Sequence, residues 1–125
     1  MIFGIGTDIA EVARFASLIE RHGDGALEKI LAPDERAACK FSPSPARFLA
    51  KRFAAKEALG KAFGTGVRDP LLLPDITIAH DDLGKPNFVF AEALAAVFVE
   101  RGLTAHLSIS DERDFAVAFV ILERT

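Results

Sequence analysis

The segment from Ala46 to Phe63 predicts a long central helix, because the glycine-rich tripeptide Gly64-Thr65-Gly66 follows it directly. Glycine adopts the left-handed conformation that ends many helices at little cost, so the helix should stop there. Residues four positions apart share a helix face, so Phe53, Glu57 and Lys61 should form one stripe. Two interpretations of that stripe are open. Glu57 and Lys61 could form an ordinary helix-stabilising ion pair, or Glu57 could bind a divalent metal.

Positive charge is concentrated around this helix although the chain is acidic overall. The 125 residues carry 15 Lys and Arg against 18 Asp and Glu, a net charge of −3, which argues against a general nucleic-acid-binding protein. Between Lys40 and Lys61 the only acid is Glu57, and the cations are Lys40, Arg47, Lys51, Arg52, Lys56 and Lys61. This local excess suits an anionic ligand, with a solvated helix face as the alternative. It should also keep Glu57 ionised, since neighbouring cations favour a carboxylate.

Length and composition predict a single domain spanning residues 1–125. The apolar residues make up 50% of the chain, an excess for a small domain that is most safely buried against copies of itself. The only cysteine, Cys39, rules out an intrachain disulfide framework, fits a reducing compartment and is expected to be a buried thiol. We find no membrane-length apolar run and no signal-peptide pattern after Met1, so we expect a cytoplasmic protein with no membrane contact.

The order of the predicted elements favours an α+β fold, with a mostly antiparallel sheet packed against the central helix. Alternating or apolar runs predict strands at Ile2–Ile9, Ile76–Ile78, Asn87–Phe90, Thr104–Ser110 and Phe115–Leu122. Helical patterns predict helices from just after Asp8 to His22, at Ala26–Leu31, from Pro33 onward, at Ala46–Phe63 and at Ala91–Arg101.

Asp8 follows Gly4 and Gly6 on one face of the first predicted strand. The missing glycine side chains would let another backbone or a ligand approach Asp8 closely. One interpretation makes Asp8 the N-cap of the next helix, with Glu11 completing a capping pattern. In the other, Asp8 and Glu57 share a hard cation such as Mg²⁺, although local patterns alone do not show that the two acids meet.

The sequence lacks several common catalytic and metal-binding motifs. It has no Gly-Lys-Ser/Thr phosphate loop and no Gly-x-Ser-x-Gly nucleophile motif, and its three histidines lack zinc-ligand spacing. His106, on the polar face of a predicted strand, remains open as a ligand contact or a structural histidine. On the first helix, Leu18 lies between Arg14 and Arg21, which is typical of a docking surface for an acidic partner.

Four motifs follow one another along the chain. They are Gly4-Ile5-Gly6-Thr7-Asp8-Ile9, the block from Arg47 to Gly66 that contains Lys51-Arg52-Phe53-Ala54-Ala55-Lys56-Glu57-Ala58, the turn Leu83-Gly84-Lys85-Pro86, and His106-Leu107-Ser108-Ile109-Ser110. Together they resemble the holo-acyl-carrier-protein synthases, the small bacterial 4′-phosphopantetheinyl transferases. The resemblance spans essentially the whole chain, and the central block is its most specific part.

This resemblance implies a Mg²⁺-dependent transfer of 4′-phosphopantetheine from coenzyme A to a serine of apo-acyl carrier protein. Adenosine 3′,5′-bisphosphate would be released, and the reaction would serve fatty acid biosynthesis. The resemblance also implies a homotrimer with active sites between adjacent subunits.

The same resemblance implies roles for particular residues. Asp8 and Glu57 would hold the metal ion, and Lys61 would neutralise charge on the transferring phosphoryl group. Contacts to coenzyme A would come from Arg52, Lys56, Gly84, Lys85, Pro86 and His106. The acidic carrier protein would dock on Arg14, Leu18 and Arg21.

Two other functions are compatible with parts of the sequence. A non-catalytic coenzyme A or nucleotide-binding trimer would explain the basic helix, but a passive anion site gains nothing from the negative charges of Asp8 and Glu57. A purely structural trimer would explain the apolar excess and leave the basic segment unexplained.

Overall fold

The computed structural model describes all residues 1–125, and its elements follow an α+β order. The strands are β1 (Ile2–Glu11), β2 (Ile76–His80), β3 (Pro86–Phe90), β4 (Leu103–Asp111) and β5 (Phe115–Arg124). The helices are α1 (Val12–His22), α2 (Asp24–Ile30), α3 (Pro33–Phe41), α4 (Pro45–Phe63) and α5 (Glu92–Glu100). The predicted α+β class is therefore confirmed. No helix combines the length and the apolar character that a membrane crossing requires.

The strands form two separate antiparallel sheets. Three strands pair in the order β1-β5-β4, and β2 pairs with β3. The 19-residue helix α4 packs against β1 and β5. The face of the large sheet that covers α4 is its inner face, and along β5 it carries buried residues at alternate positions: Ala116, Ala118, Val120 and Leu122.

Two glycines allow β1 to cross α4 at backbone distance. A β-carbon added to Gly4 would collide with the carbonyl oxygen of Ala62, and one added to Gly6 would collide with that of Ala58. The sequence predicted this close approach from the two missing side chains. The consequence is that Asp8, two residues further along the same face, lies beside the C-terminal half of α4.

The prediction that Asp8 caps the first helix is wrong. Strand β1 continues past Asp8, which pairs with Ala118 of β5, and α1 begins only at Val12. The N-cap position belongs to Glu11, and no side-chain hydrogen bond caps this helix. Cross-strand hydrogen bonding to β5 extends the strand three residues further than the local capping pattern suggested.

The tight connection between β2 and β3 is organised by one side chain. Asp81 accepts hydrogen bonds from the backbone N–H groups of Leu83 and Lys85, both at 2.9 Å. Gly84 has φ +87°, a left-handed conformation that glycine adopts without strain. Pro86 then opens β3 opposite His80. The Gly84-Lys85-Pro86 segment is thus a fixed turn at one end of the small sheet.

Candidate active site

Asp8 and Lys61 meet at the crossing of β1 and α4. The Lys61 ammonium donates hydrogen bonds to Asp8 Oδ1 at 3.2 Å and to the backbone carbonyl of Thr7 at 2.9 Å. The Asp8 side chain is only 17% exposed, whereas that of Lys61 is 53% exposed. The crossing therefore presents a largely buried carboxylate held by a lysine that still reaches solvent.

Glu57 lies one helical turn before Lys61 and lacks a salt bridge of its own. Burial raises the pKa of its carboxyl group, and the negative charge of Asp8 raises it further, while Lys61 and Arg14 oppose the shift. The expected Glu57–Lys61 ion pair is not formed, because Lys61 turns to Asp8. Lys61 and Arg14 favour the ionised carboxylate, as expected, but burial and the second acid outweigh them in setting the direction of the pKa shift.

The basic segment around α4 is largely neutralised in three dimensions. All six of its cations form ion pairs with acids from outside the segment. The pairs are Lys40 with Asp24, Arg47 and Lys51 with Asp111, Arg52 and Lys56 with Glu35, and Lys61 with Asp8. Glu57, the only acid within the segment, stays outside these pairs. The sequence identified the cations but not their partners.

Lys56 is buried, and its ammonium bonds only to groups of the protein itself. Its ammonium is fully buried and donates to Glu35 Oε1 at 2.8 Å and to the backbone carbonyls of Ile30 and Leu73 at 2.8 and 3.1 Å. Burial lowers the pKa of Lys56, and the Glu35 carboxylate opposes that change. An ammonium with three donated hydrogen bonds has none left for a phosphate. Lys56 is therefore not free to bind coenzyme A, the role that the family resemblance implied for it.

Arg52 lies between this buried network and the surface. Its Nε is 3.3 Å from Glu35 Oε2, an ion-pair distance, although this nitrogen has no hydrogen-bond partner of suitable geometry. Its guanidinium stacks over the Phe48 ring at 4.2 Å. Arg52 also lines a surface cavity of about 270 Å³ with Arg47 and Lys51. Unlike Lys56, it therefore faces a basic cavity.

Glu35 is the residue that sequence reasoning missed. Its carboxylate receives Lys56 and Arg52, and it also accepts the backbone N–H groups of Ala32 and Ile78. It thereby ties α3, α4 and β2 together. The only available signal was an acid in the first turn of a helix, which is too common to indicate a buried hub.

His106 lies on the opposite side of the large sheet from Asp8. In the cross-strand register, Asp8 is level with Ala118 and Ile109 on the inner face, whereas His106 is level with Ile121 and Ile5 on the outer face. His106 Nε2 is 3.1 Å from Glu123 Oε1. Within one chain, the sheet separates His106 from Asp8 and Glu57, which we call the acid pair.

The outer face of the large sheet exposes several large apolar side chains beside the polar pair His106 and Glu123. Its exposed large side chains are Phe3, Ile5, Ile9, Phe115, Val117 and Phe119, with Ile5 60% and Ile9 64% accessible. We call this set the outer apolar face. Contiguous exposed apolar surface on a small domain marks an interaction site.

A second surface lies on α1. Arg14 and Leu18 line a cavity of about 450 Å³, floored by Phe53 and Leu73 and flanked by Lys29. The Arg14 guanidinium is 5.3 Å from the centres of the Phe15 and Phe53 rings. Arg21 is exposed and outside the cavity, where it contacts the Ser17 carbonyl at 3.4 Å. The structure thus groups Arg14 and Leu18 around one cavity and leaves Arg21 at its side.

The acid pair offers a donor set that fits Mg²⁺. No group of three or more His, Cys, Asp or Glu side chains converges anywhere in the chain, so the structure holds no complete protein cage for a metal. Mg²⁺ is usually held by one or two carboxylates, with waters and substrate phosphates completing its shell. Asp8 and Glu57 provide two, and they lie close enough that the negative charge of Asp8 adds to the effect of burial in raising the pKa of Glu57.

Comparison with known proteins shows the family of the chain. Residues 4–120 match the family described as the 4′-phosphopantetheinyl transferase superfamily. The chain belongs to this superfamily. Among its curated members, a holo-[acyl-carrier-protein] synthase from Dechloromonas aromatica is 58% identical over 123 residues, covering 98% of each chain.

Solved structures of the superfamily have the same fold. The crystal structure of holo-[acyl-carrier-protein] synthase from Neisseria meningitidis aligns with a TM-score of 0.95 at 44% identity, covering 99% of this chain and 100% of the other. A holo-(acyl-carrier-protein) synthase from Bacillus anthracis in complex with CoA (3′,5′-ADP) aligns with a TM-score of 0.83 at 38% identity, covering 100% and 99%. The family resemblance suggested by the sequence motifs is therefore confirmed.

Proposed function

We propose that this protein is a holo-acyl-carrier-protein synthase. It transfers 4′-phosphopantetheine from coenzyme A to a serine of apo-acyl carrier protein. The serine oxygen forms a bond to the phosphorus attached to pantetheine, the diphosphate P–O bond breaks, and adenosine 3′,5′-bisphosphate leaves with that electron pair. The observation that carries this proposal is the meeting of Asp8, Glu57 and Lys61 at the β1–α4 crossing of a chain that belongs to the transferase superfamily.

In this proposal Asp8 and Glu57 hold Mg²⁺. When bound, the ion would supply Lewis-acid stabilisation of charge on the phosphoryl oxygens. The residues are suited to this because the two carboxylates come from different elements whose relative position is fixed by the Gly4 and Gly6 contacts. A bound cation would also relieve the repulsion between the two acids.

Lys61 is the group placed to neutralise phosphoryl charge. Its ammonium is beside the acid pair and its side chain reaches solvent, so it can contact a phosphate oxygen of bound coenzyme A. A cation aimed at developing negative charge is a main source of phosphoryl-transfer catalysis. Glu57 and a water are both candidates for accepting the serine proton.

We propose that Arg52, His106 and the Gly84-Lys85-Pro86 turn contact coenzyme A. Arg52 lines the basic cavity with Arg47 and Lys51, and because those two cations share the single carboxylate of Asp111, positive charge remains for a phosphate group. Because the sheet separates His106 from the acid pair within one chain, contacts from His106 would come from an adjacent subunit.

That separation supports a homotrimer with shared active sites. His106 lies on the same side of the sheet as the outer apolar face, in the row of Ile5 and Ile121, so subunits that bury this face would also bring His106 to their common boundary. Burial of such a face between copies removes apolar area from water, which is the principal driving force of association.

We propose that the acidic carrier protein docks on α1 through Arg14, Leu18 and Arg21. The 450 Å³ cavity beside Leu18 offers an apolar recess between positive charges. Rim charges of this kind steer an acidic partner and fix its orientation. Because Arg14 also lies near Glu57, this surface adjoins the proposed reaction centre.

The proposed reaction belongs to the cytoplasm and to fatty acid biosynthesis. The one cysteine, Cys39, is buried as a free thiol, and burial raises its pKa, which suits a compartment where thiols stay reduced.

Mass spectrometry tests the proposed function directly. Purified apo-acyl carrier protein incubated with coenzyme A, Mg²⁺ and the protein should gain the mass of one phosphopantetheine on its serine. Glu57→Gln and Asp8→Asn should lower the rate by roughly a hundredfold or more, since metal-ion stabilisation is worth several kcal/mol. If coenzyme A binds but the carrier protein gains no mass, the protein is a non-catalytic coenzyme A-binding protein and not a transferase.

A further inference from the structure

We propose that Lys61 is the resident counter-cation of Asp8 in the metal-free protein, and that a divalent metal ion and the Lys61 ammonium compete for this carboxylate. Metal binding would then release Lys61 for the phosphate of coenzyme A. The inference rests on the proposed function, because it takes Asp8 and Glu57 as the metal ligands.

The contacts of Lys61 identify it as the mobile partner. Asp8 is anchored on a paired strand and is largely buried, so its carboxylate has little freedom. Lys61 is attached by a flexible four-carbon stem at the exposed side of α4, and half of its side chain remains accessible. Its ammonium is held by Asp8 Oδ1 and the Thr7 carbonyl alone.

The charges of the site favour one cation at a time. With Lys61 in place, the ammonium and the two carboxylates of Asp8 and Glu57 leave one net negative charge, and Arg14 adds a more distant positive charge. A divalent ion held by the two carboxylates would repel the Lys61 ammonium, since like charges repel more strongly in a partly buried site than in water. Removing the ammonium from Asp8 relieves that repulsion.

The released ammonium has an obvious new acceptor. Loss of the Asp8 contact leaves it with the Thr7 carbonyl, and a phosphate oxygen of coenzyme A would restore a charge-assisted hydrogen bond. Metal ion and coenzyme A would therefore bind with positive coupling through Lys61, in addition to any direct contact between them.

Metal affinity tests this competition without any turnover. We would titrate metal-free protein with Mn²⁺ in the absence of coenzyme A and measure free Mn²⁺ by electron paramagnetic resonance. Lys61→Met preserves the length of the side chain and removes its charge, so it should bind Mn²⁺ about tenfold more tightly than the wild type. Lys61→Arg keeps the charge and should bind at near wild-type affinity.

Lys40→Met is the matched control. It removes the same charge from an exposed ion pair with Asp24 on another part of the surface, and it should leave the Mn²⁺ affinity unchanged. Thermal unfolding gives a second readout. Without metal, Lys61→Met should unfold at a lower temperature than the wild type, because Asp8 loses its counter-cation. Saturating Mn²⁺ should raise the unfolding temperature of Lys61→Met by more than it raises that of the wild type.

The outcomes separate this inference from the proposed function. Equal or weaker Mn²⁺ binding by Lys61→Met, while Asp8→Asn and Glu57→Gln lose binding, would overturn the competition and leave the metal site intact. Wild-type Mn²⁺ affinity in Asp8→Asn and Glu57→Gln would instead overturn the metal site itself, and the competition with it.

Discussion

The ammonium of Lys56 lies 2.8 Å from Glu35 Oε1. The Lys56 side chain is fully buried, and that of Glu35 is only 3% exposed. Burying such a pair costs a large desolvation penalty, which is offset only when the remaining hydrogen-bonding capacity is satisfied. Here two backbone carbonyls complete Lys56 and two backbone N–H groups complete Glu35. The pair therefore fixes how α3 and β2 sit against α4.

Removing one partner of this pair should be strongly destabilising. Glu35→Gln would leave the buried Lys56 and the partly buried Arg52 without their carboxylate, and we expect a loss of about 3–5 kcal/mol in the free energy of unfolding, measured by urea denaturation. The double variant Glu35→Gln with Lys56→Met should be more stable than Glu35→Gln alone, because it removes the uncompensated ammonium. A double variant no more stable than the single one would contradict this account.

A methyl group at Gly6 should disturb both stability and activity. Gly6→Ala forces β1 away from the carbonyl of Ala58, so we expect about 1–3 kcal/mol of destabilisation together with loss of transfer activity. Gly25→Ala is the control, since no atom lies within 4 Å of its added carbon. Urea denaturation and the mass-spectrometric assay measure the two effects. Gly6→Ala with wild-type stability would show that β1 does not need its close approach to α4.

A charge on the outer apolar face should prevent association. Ile9→Glu is expected to give a monomer in light scattering after size-exclusion chromatography, because it would bury an unpaired carboxylate in the interface. Val99→Glu introduces the same charge at a more exposed apolar residue of α5, 81% accessible, and should leave the oligomer intact. An Ile9→Glu variant with the wild-type mass would exclude this face as the interface.

Charge reversal on α1 should weaken carrier-protein recognition. Arg21→Glu is expected to raise the KM for apo-acyl carrier protein by about tenfold at low ionic strength, and the difference should shrink as salt screens the charges. The KM for coenzyme A should stay the same. Lys40→Glu makes the same change of charge elsewhere, and an equal increase in KM for this control would point to net charge instead of a docking site.

His80 should report on the cations around the basic cavity. Burial lowers the pKa of this histidine, and the charges of Arg52 and Lys51 lower it further. Lys51→Gln should therefore raise the His80 pKa in an NMR titration. An anion bound between these cations should raise it too, so coenzyme A is expected to shift the titration upward. An unchanged pKa with saturating coenzyme A would place its phosphates elsewhere.

The lowered pKa of His80 also predicts the direction in which its contribution to stability changes with pH. A histidine with a lowered pKa in the folded protein binds protons more readily when unfolded. The contribution of His80 to stability should therefore decrease as the pH falls from its unfolded pKa toward its folded pKa. His80→Gln should flatten that part of the pH profile of unfolding, whereas an unaltered profile would contradict the assigned environment.

The fold class and the position of Asp8 on β1 follow from local sequence pattern. Alternation along β1 was enough to place Gly4, Gly6 and Asp8 on one face, and the glycine that follows Phe63 marked the end of α4. The boundary of β1 was missed because a capping pattern and a strand end look alike in one chain segment. Pairing with β5, more than a hundred residues away, decides between them.

The charge environment of the site could not be predicted in the same way. Every cation of the α4 region is paired with an acid brought to it by tertiary folding, as with Glu35 and Asp111. Sequence counts sum charge over a segment, whereas a pKa depends on burial and on neighbours in space. The count indicated only that cations favour the carboxylate of Glu57, whereas burial and Asp8 raise its pKa in the folded chain.

Along strand β1, Asp8 lies on the inner face of the sheet, and its neighbours Thr7 and Ile9 lie on the outer face. The proposed catalytic acid and the proposed subunit contact at Ile9 therefore share a single backbone. A displacement of that backbone by a fraction of an ångström changes both at once. Quaternary assembly and chemistry would then rise and fall together, and specific activity should decline on dilution as subunits separate. Enzyme concentration itself would act as a control of the reaction.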